Sequence, residues 1–361
     1  MRLLYALRDQ DLATTKSIGI LHVSVAVLHG LVRQPEITRL DVLANRSLAP
    51  LVPAPPPHVR YHFLDAPAPR RWQRLWWDQW TLGAWTRRLE PDWLLLPKGF
   101  FPLLRRPAGR VSAYVHDNIF GHYARQGTNP FPWGEMTLFR HSLARTAAQA
   151  DVIVTNSAFT AAEISSAYHC RAQPVPIGAP LLPAPAPARG SAELSADPRV
   201  LLLTSPHPHK LTARAIAWLQ RLQAESRGPL AVVGVGGLPP GLAWPDQPGW
   251  QRHPRLSEEA FAGVRTGCNL LAYFSAYEGF GLPPLEALQA GLRVVASDLP
   301  PLRENLPAEI LFANGSYDSF RQTVQRALAM ATPPTTRTAS PDDVAARWVT
   351  LLRESDAPGG R

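Results

Sequence analysis

The chain has 361 residues, of which 45% are hydrophobic, and this length and composition suit two globular domains of about 150 to 200 residues each. The 37 Lys and Arg residues outnumber the 28 Asp and Glu residues, so the formal net charge is +9 and the surface favours polyanions such as nucleotide phosphates. No apolar segment has the length of a membrane span, and no nucleic-acid-binding motif is present. The apolar run at the N-terminus ends at Arg8, too early for a signal peptide, so we expect a cytoplasmic protein. Because no nucleic-acid-binding motif is present, we expect no binding to nucleic acid.

Short apolar runs alternate with helical periodicity along the chain, a pattern typical of βα units and parallel sheets. In the first half this pattern predicts helices that include 20–32 and 135–150, and strands near positions 2, 40, 59, 92, 111 and 151. Residues 1–180 are therefore predicted to form an N-terminal Rossmann-like domain.

Segment 70–90 places Trp72, Trp76 and Trp80 at helical spacing, with arginines at both ends. An aromatic stripe at this spacing is more often part of a core, but a basic aromatic helix also binds membrane interfaces. Peripheral contact with the inner face of a membrane is therefore a second expectation for this segment.

Residues 181–197 are rich in proline and alanine and are the predicted linker between two domains. The alternating pattern then resumes, with helices beginning near 211, 258, 284, 299 and 317 and strands near 200, 229, 269, 293 and 309. Residues 198–338 are predicted to form a second Rossmann-like domain. Within 339–361, a C-terminal amphipathic helix is expected to pack back on the first domain. Two such domains would place a ligand cleft between two sets of strand ends.

Two short motifs resemble metal ligands without forming a complete site. Asp9-Gln10-Asp11 has the DxD pattern, for which a plain loop is the favoured interpretation. His207-Pro208-His209 lacks a third ligand at suitable spacing. No metal is expected.

The stretch EGFGLPPLEA, from Glu278, places two carboxylates around glycines and adjacent prolines. Prolines suit the first turn of a helix, and the free amides and dipole of a helix N-terminus favour a diphosphate. Glu286, in the first turn, would accept hydroxyl hydrogen bonds from a ribose, and Glu278 would bind a second sugar ring. The alternative is a glycine turn before a helix, with Glu286 stabilising the N-terminus and Glu278 solvated.

The longer stretch SAYEGFGLPPLEALQAGLRVVAS resembles the signature of the retaining glycosyltransferases of family four, which have the GT-B fold and include many bacterial mannosyltransferases. Further segments agree in order: VHD at 115–117, ADVIVTNSAFTAAEI from 150, VPIGAP at 175–180 and SPHPHK at 205–210. The resemblance covers nearly the whole chain, most weakly at its beginning. It implies an α/β fold of the GT-B type, with two doubly wound Rossmann-like domains facing across a cleft and residues 1–180 on the acceptor side.

The resemblance implies roles for individual residues. Glu286 would bind the donor ribose, Glu278 the donor hexose, and Lys210 would neutralise the diphosphate as the leaving group departs. His116 would approach the transferred sugar from the first domain, so the implied catalytic residues are His116, Lys210 and Glu278. The other implied donor-binding residues are Gly19, Thr204, Ser205, His209, Gly279, Phe280, Gly281 and Leu282.

The segment before Lys210 departs from the family pattern. Many members have an arginine or glycine a few residues earlier and an arginine directly before the lysine, whereas this chain has Thr204 and His209. Neutralisation of the diphosphate is therefore expected to depend more on Lys210.

The resemblance implies transfer of a hexose to a glycan or lipid-linked sugar in surface polysaccharide or glycolipid biosynthesis. GDP-mannose is the first choice of donor, because EGFGLPPLEA is most similar to the mannosyltransferase branch. No cofactor besides the nucleotide-sugar is expected. Two alternatives stay open: a nucleotide-sugar epimerase of the GT-B fold, and a nucleotide-sugar-binding protein with weak catalysis.

Overall fold

The chain is divided into two compact units, Met1–Leu182 together with Ala339–Arg361, and Pro183–Thr338. The predicted linker 181–197 lies outside the described residues, as do Asp9 and Asp11 of the DxD pattern. The computed structural model describes residues 1–8, 10, 18–64, 80–132, 134–178, 198–226, 228–334, 336 and 339–357.

The described part of the N-terminal unit contains a parallel sheet of seven strands. These are β1 (Arg2–Leu7), β2 (Arg39–Asn45), β3 (Val59–Leu64), β4 (Trp93–Leu96), β5 (Arg110–Val115), β6 (Val152–Thr155) and β7 (Ala172–Pro174). Their order in the sheet is β3-β2-β1-β4-β5-β6-β7. Consecutive residues are buried along β4 and β6, so both faces of these strands are covered, which explains their continuous apolar sequences.

Helices connect these strands, and polar side chains fix where some of them begin. The Asn118 side chain accepts a hydrogen bond from the Gly121 amide (3.2 Å), and Ser157 accepts one from the Thr160 amide (3.0 Å). The helices are α1 (Ile18–Leu31), α2 (Leu82–Leu89), α3 (Ile119–Arg125), α4 (Glu135–Gln149) and α5 (Ala158–Tyr168).

The described part of the C-terminal unit contains a parallel sheet of six strands. These are β8 (Arg199–Thr204), β9 (Ala231–Gly236), β10 (Trp250–His253), β11 (Leu270–Tyr273), β12 (Arg293–Ser297) and β13 (Leu311–Phe312). Their order is β10-β9-β8-β11-β12-β13, so the direction of winding reverses between β8 and β11. Ligands of open α/β sheets bind at such a reversal, beyond the carboxyl ends of the strands.

The helices of the C-terminal unit surround an aromatic core. The rings of Phe274, Phe312 and Phe320 pack with centroids 4.9 to 5.2 Å apart, and Trp218 contacts all three. The helices are α6 (Thr212–Glu225), α7 (Glu258–Thr266), α8 (Leu282–Gln289), α9 (Pro300–Arg303) and α10 (Tyr317–Ala329).

The last helix, α11 (Pro341–Asp356), belongs to the N-terminal unit. Ser340 and Asp343 form a capping box at its start. The buried Trp348 donates a hydrogen bond from Nε1 to Ser112 Oγ (2.8 Å). A Cβ added at Gly30 of α1 would lie 2.1 Å from the Pro341 carbonyl oxygen, so α1 and α11 pack through a position that admits only glycine.

The structure confirms the predicted strands of both halves and the prediction of two doubly wound α/β units. It adds β7 and β10, which the sequence analysis missed. Both are short edge strands, and β10 (WQRH) contains one buried residue, Trp250, so neither has a continuous apolar run.

The basic aromatic segment is described only from Trp80 onward, and Trp72 and Trp76 lie outside the described residues. Trp80 is 41% exposed and lies under the guanidinium of Arg105, 3.7 Å from the ring centroid. Among the described helices, none has the length and apolar character needed to cross a membrane.

The contact between α1 and α11 predicts a steric effect on stability. Gly30→Ala should lower the free energy of unfolding by about 1 to 3 kcal/mol, because the new methyl group overlaps the α11 backbone. Gly83→Ala in α2 is the control, since its nearest contact would be an ordinary 3.5 Å. Urea unfolding followed by tryptophan fluorescence measures both, and equal stabilities of the two variants would contradict this packing.

Candidate functional site

The candidate site lies at the carboxyl ends of β8 and β11, where the winding of the C-terminal sheet reverses. The two strands are neighbours in parallel register, with Leu270 opposite Val200. Lys210 follows β8 after a short loop, and Glu278 follows β11. The sheet therefore brings together two loops that are far apart in sequence.

Backbone hydrogen bonds hold these two loops against each other. The His209 carbonyl accepts from the Ala276 amide (2.6 Å) and from Ser275 Oγ (3.2 Å). Asn314 Nδ2 donates to the Ser275 carbonyl (2.7 Å), which ties the loop after β13 to the same place. Hydrogen bonds to the carbonyls of His209 and Ser275 thus hold the loops that carry Lys210 and Glu278.

Lys210, Tyr273 and Glu278 form a closed hydrogen-bonded triangle. Lys210 Nζ donates to Glu278 Oε1 (2.6 Å) and to Tyr273 OH (3.1 Å). The Tyr273 hydroxyl donates to the same Glu278 Oε1 (2.7 Å). The side chains of Lys210 and Glu278 are 26% and 11% exposed, so the pair is partly removed from water.

The triangle keeps both charged groups ionised. Burial acts to lower the pKa of Lys210, but the charge of Glu278 and the hydrogen bonds outweigh it, and the pKa lies far above its usual value. Burial acts to raise the pKa of Glu278, but the charge of Lys210 outweighs it, and the pKa lies below its usual value. At neutral pH the site therefore holds one cation and one anion in contact.

The glycine loop after Glu278 leads into α8. Gly281, at the helix N-cap, has φ of +92°, and an added Cβ would lie 2.0 Å from Leu302 Cδ2, so only glycine fits. Gly279 and Phe280 are buried, and the backbone around them and Leu282 forms the entry to the helix. The prediction that the two prolines lie at the start of this helix is confirmed.

Glu286 lies in the second turn of α8, so its predicted position in the first turn is wrong. The reason is that the helix begins at Leu282, two residues earlier than expected. The side chain is half-buried, and within the described part of the chain its carboxylate makes no hydrogen bond. Burial raises the pKa of Glu286, with the charge of Arg265 opposing this and that of Glu258 adding to it. A carboxylate in this state can accept hydrogen bonds from a ligand.

The strand end before Lys210 contains the other predicted ligand-binding residues. Thr204 is 7% exposed, and its Oγ1 has no hydrogen-bond partner among the described residues. Ser205 is held by Thr212, whose hydroxyl accepts from the Ser205 amide (3.0 Å). The rings of His207 and His209 stack with centroids 5.9 Å apart. In the described chain no three His, Cys, Asp or Glu side chains cluster as metal ligands would.

His116 and Gly19 belong to the N-terminal unit. His116 follows β5 and is 7% exposed, and its Nε2 lies 2.6 Å from the Pro97 carbonyl oxygen. Burial lowers the His116 pKa to about 4, so the imidazole is neutral at pH 7, with Nε2 carrying the hydrogen and Nδ1 an acceptor. Gly19 is the second residue of α1 and is exposed.

The structure thus brings Lys210 and Glu278 into contact, with Glu286 eight positions after Glu278 on α8. The sequence analysis missed Tyr273, the third member of the triangle. The only signal was its place as the last residue of β11, at the carboxyl edge of the sheet where ligands bind.

Residues 253–338 match the family model described as glycosyl transferases group 1. The matched segment contains Tyr273, Glu278 and Glu286 but neither Lys210 nor the N-terminal unit. Among curated protein sequences, none is significantly similar to the chain.

Solved structures match the chain over nearly its full length. Sucrose-phosphate synthase from Thermosynechococcus elongatus is 17% identical with a TM-score of 0.63, over 98% of this chain and 99% of that one. The catalytic domain of starch synthase IV from Arabidopsis thaliana, bound to ADP and acarbose, is 12% identical with a TM-score of 0.63 over the same shares. A UDP-forming trehalose-phosphate synthase from Burkholderia vietnamiensis is 13% identical with a TM-score of 0.58, over 99% and 97%. The chain has the GT-B fold.

The contact between Lys210 and Glu278 predicts a thermodynamic coupling. Lys210→Met and Glu278→Gln should each lower the free energy of unfolding by about 2 to 4 kcal/mol, because each leaves a partly buried charge without its partner. The double variant should lose about 1 to 3 kcal/mol less than the sum of the two.

Urea unfolding of the four proteins at pH 7 measures this coupling, and strictly additive losses would argue against the ion pair. Since the Glu278 pKa is lower in the folded than in the unfolded chain, the stabilisation is present above the ordinary value of 4.5. It is lost as the pH falls through the folded value.

Proposed function

We propose that the protein is a retaining glycosyltransferase that moves a hexose from a nucleotide diphosphate donor to a sugar acceptor. The observation that supports this most strongly is the Lys210–Glu278 contact at the winding reversal of the C-terminal sheet. Glu278 and Glu286 both lie in the segment that matches glycosyl transferases group 1. Two proteins of the same fold are described as bound to ADP and as UDP-forming, which agrees with a nucleotide diphosphate product.

In this proposal the diphosphate lies between Lys210 and the start of α8. The free amides of the helix N-terminus and its positive dipole end attract the phosphates, and the bare backbone at Gly279 and Gly281 lets them approach closely. Lys210 stabilises the charge that develops on the leaving nucleoside diphosphate. The hydroxyl of Thr204, which lacks a partner among described residues, offers a further polar contact at the same strand end.

The carboxylates bind the two sugar rings of the donor. Glu286, whose oxygens make no hydrogen bond in the described part of the chain, accepts hydroxyl hydrogen bonds from the ribose. Glu278 accepts hydroxyl hydrogen bonds from the transferred hexose through the oxygen that the triangle does not occupy. In the N-terminal unit, Nδ1 of the neutral His116 can accept a hydroxyl hydrogen bond, since the Nε2 hydrogen is directed to Pro97.

The finer assignments are GDP-mannose as donor and a glycan or lipid-linked sugar as acceptor, in surface polysaccharide or glycolipid biosynthesis. The resemblance of EGFGLPPLEA to the mannosyltransferase branch supports the choice of donor. We also propose that the protein is cytoplasmic and that segment 70–90 contacts the membrane surface peripherally. The exposed Trp80 with Arg105 over its ring supports the contact.

An epimerase remains the alternative among enzymes. It would need acid and base groups for proton transfer. Because the pKa of His116 is about 4, its imidazole is neutral at pH 7 and is a poor acid there. A binding protein without turnover is the alternative from another class.

Donor turnover tests the proposal. We expect nucleoside diphosphate release from one sugar donor in a GDP-, UDP-, ADP- and dTDP-sugar panel, with GDP-mannose the expected donor. Glu286→Ala and Lys210→Ala should each reduce kcat/KM by about 10²-fold or more, because each removes a contact with the donor.

Glu309→Ala is the matched control, since this glutamate is exposed and lies outside the site, and it should retain full turnover. Donor binding without release would favour the binding protein, and full activity of both site variants would refute the site.

The ionisation of Glu286 predicts how donor binding depends on pH. Burial raises its pKa above the ordinary 4.5, and only the carboxylate accepts both ribose hydrogen bonds. The dissociation constant of the donor should therefore rise as the pH falls from neutral toward the raised pKa of Glu286, and Glu286→Gln should flatten this dependence. Calorimetric titrations at several pH values measure it, and an unchanged pH slope in Glu286→Gln would assign the effect to another group.

A further inference from the structure

The Tyr273 hydroxyl occupies an unusual place, between the two charges of the ion pair. It accepts from Lys210 Nζ (3.1 Å) and donates to Glu278 Oε1 (2.7 Å), the same oxygen that receives Lys210 (2.6 Å). Tyr273 is 3% exposed. A tyrosine that only filled the core would not need its hydroxyl at this point.

In the proposed function, donor binding would leave the Glu278 carboxylate without its cation. If Lys210 turns toward a diphosphate, the carboxylate of Glu278 loses the cation beside it while only 11% of its side chain is exposed. A carboxylate with little access to water and no partner is unfavourable, so its cost would be subtracted from donor binding.

We propose that Tyr273 is a positioning residue that holds Glu278 while Lys210 changes its partner from Glu278 to the donor diphosphate. This inference rests on the proposed function. With Lys210 on the diphosphate, the Tyr273 hydroxyl still donates to Oε1, so Glu278 keeps a hydrogen bond and its orientation toward the transferred sugar. The lysine side chain, with its flexible stem, moves, and the phenol does not.

The surroundings of Tyr273 suit this fixed role. It is the last residue of β11 and pairs with Ala296 of β12, so its backbone is held at the carboxyl end of the parallel ladder between these strands. Its ring lies 5.4 Å from Lys210 Nζ, close enough for the ring face to attract the ammonium group. Burial, with the charge of Glu278 adding to it, raises the pKa of Tyr273, so the hydroxyl keeps its proton.

Removal of the hydroxyl tests the inference. Calorimetry with GDP, UDP, ADP and dTDP, and with the corresponding monophosphates, compares the wild type with Tyr273→Phe, Lys210→Met and Tyr317→Phe. The control Tyr317 donates an equivalent hydrogen bond to Glu225 Oε2 (2.8 Å) in the same unit. For the nucleotide that binds the wild type, Tyr273→Phe should weaken the diphosphate about tenfold and the monophosphate far less. Tyr317→Phe should change neither.

The outcomes separate the inference from the function on which it rests. Weaker diphosphate binding in Lys210→Met with unchanged binding in Tyr273→Phe would overturn the role of Tyr273 and leave the proposed function standing. Equal losses for monophosphate and diphosphate, or an equal loss in Tyr317→Phe, would show a purely structural effect and also overturn it. No binding of any diphosphate to the wild type, or no effect of Lys210→Met, would overturn both.

Discussion

The ion pair between Lys210 and Glu278 is the interaction on which the candidate site depends. Two opposite charges with limited exposure are stable only if each satisfies the other and the geometry is held from outside. The adjacent strands β8 and β11 supply the approach, and the His209 carbonyl fixes the second loop through Ser275 and Ala276. Tyr273 completes the arrangement by bonding both charged groups. The site is therefore a property of the sheet topology.

The same arrangement is compatible with the proposed binding of a nucleotide diphosphate donor. In the structure the cation and anion neutralise each other, so neither is left without a partner. In the proposed function a diphosphate competes with Glu278 for Lys210, and this exchange is favourable when the phosphates bring more negative charge than the single carboxylate. Glu286, which makes no such contact within the described residues, needs no rearrangement to accept ribose hydroxyls.

The sequence was sufficient for the architecture because parallel strands buried on both faces have continuous apolar runs. The edge strands β7 and β10 lack such a run, which is why they were missed. The two glutamates stood out because glycine and proline surround them, and Gly281 proves indispensable at φ of +92°. Tyr273 had no comparable signal, since a tyrosine at a strand end has the same pattern as any core aromatic residue. The Lys210–Glu278 contact depends on two strands far apart in sequence, and spacing along the chain cannot show it.

The decisive measurement is a crystal structure of the full-length protein with a bound nucleoside diphosphate. It would show whether Lys210 leaves Glu278 and contacts the phosphates. We expect Lys210 Nζ to contact a diphosphate oxygen at about 2.7 to 2.9 Å, while the Tyr273 hydroxyl remains on Glu278. A nucleotide bound with Lys210 still paired to Glu278, and with its phosphates away from the start of α8, would contradict the proposed exchange of partners.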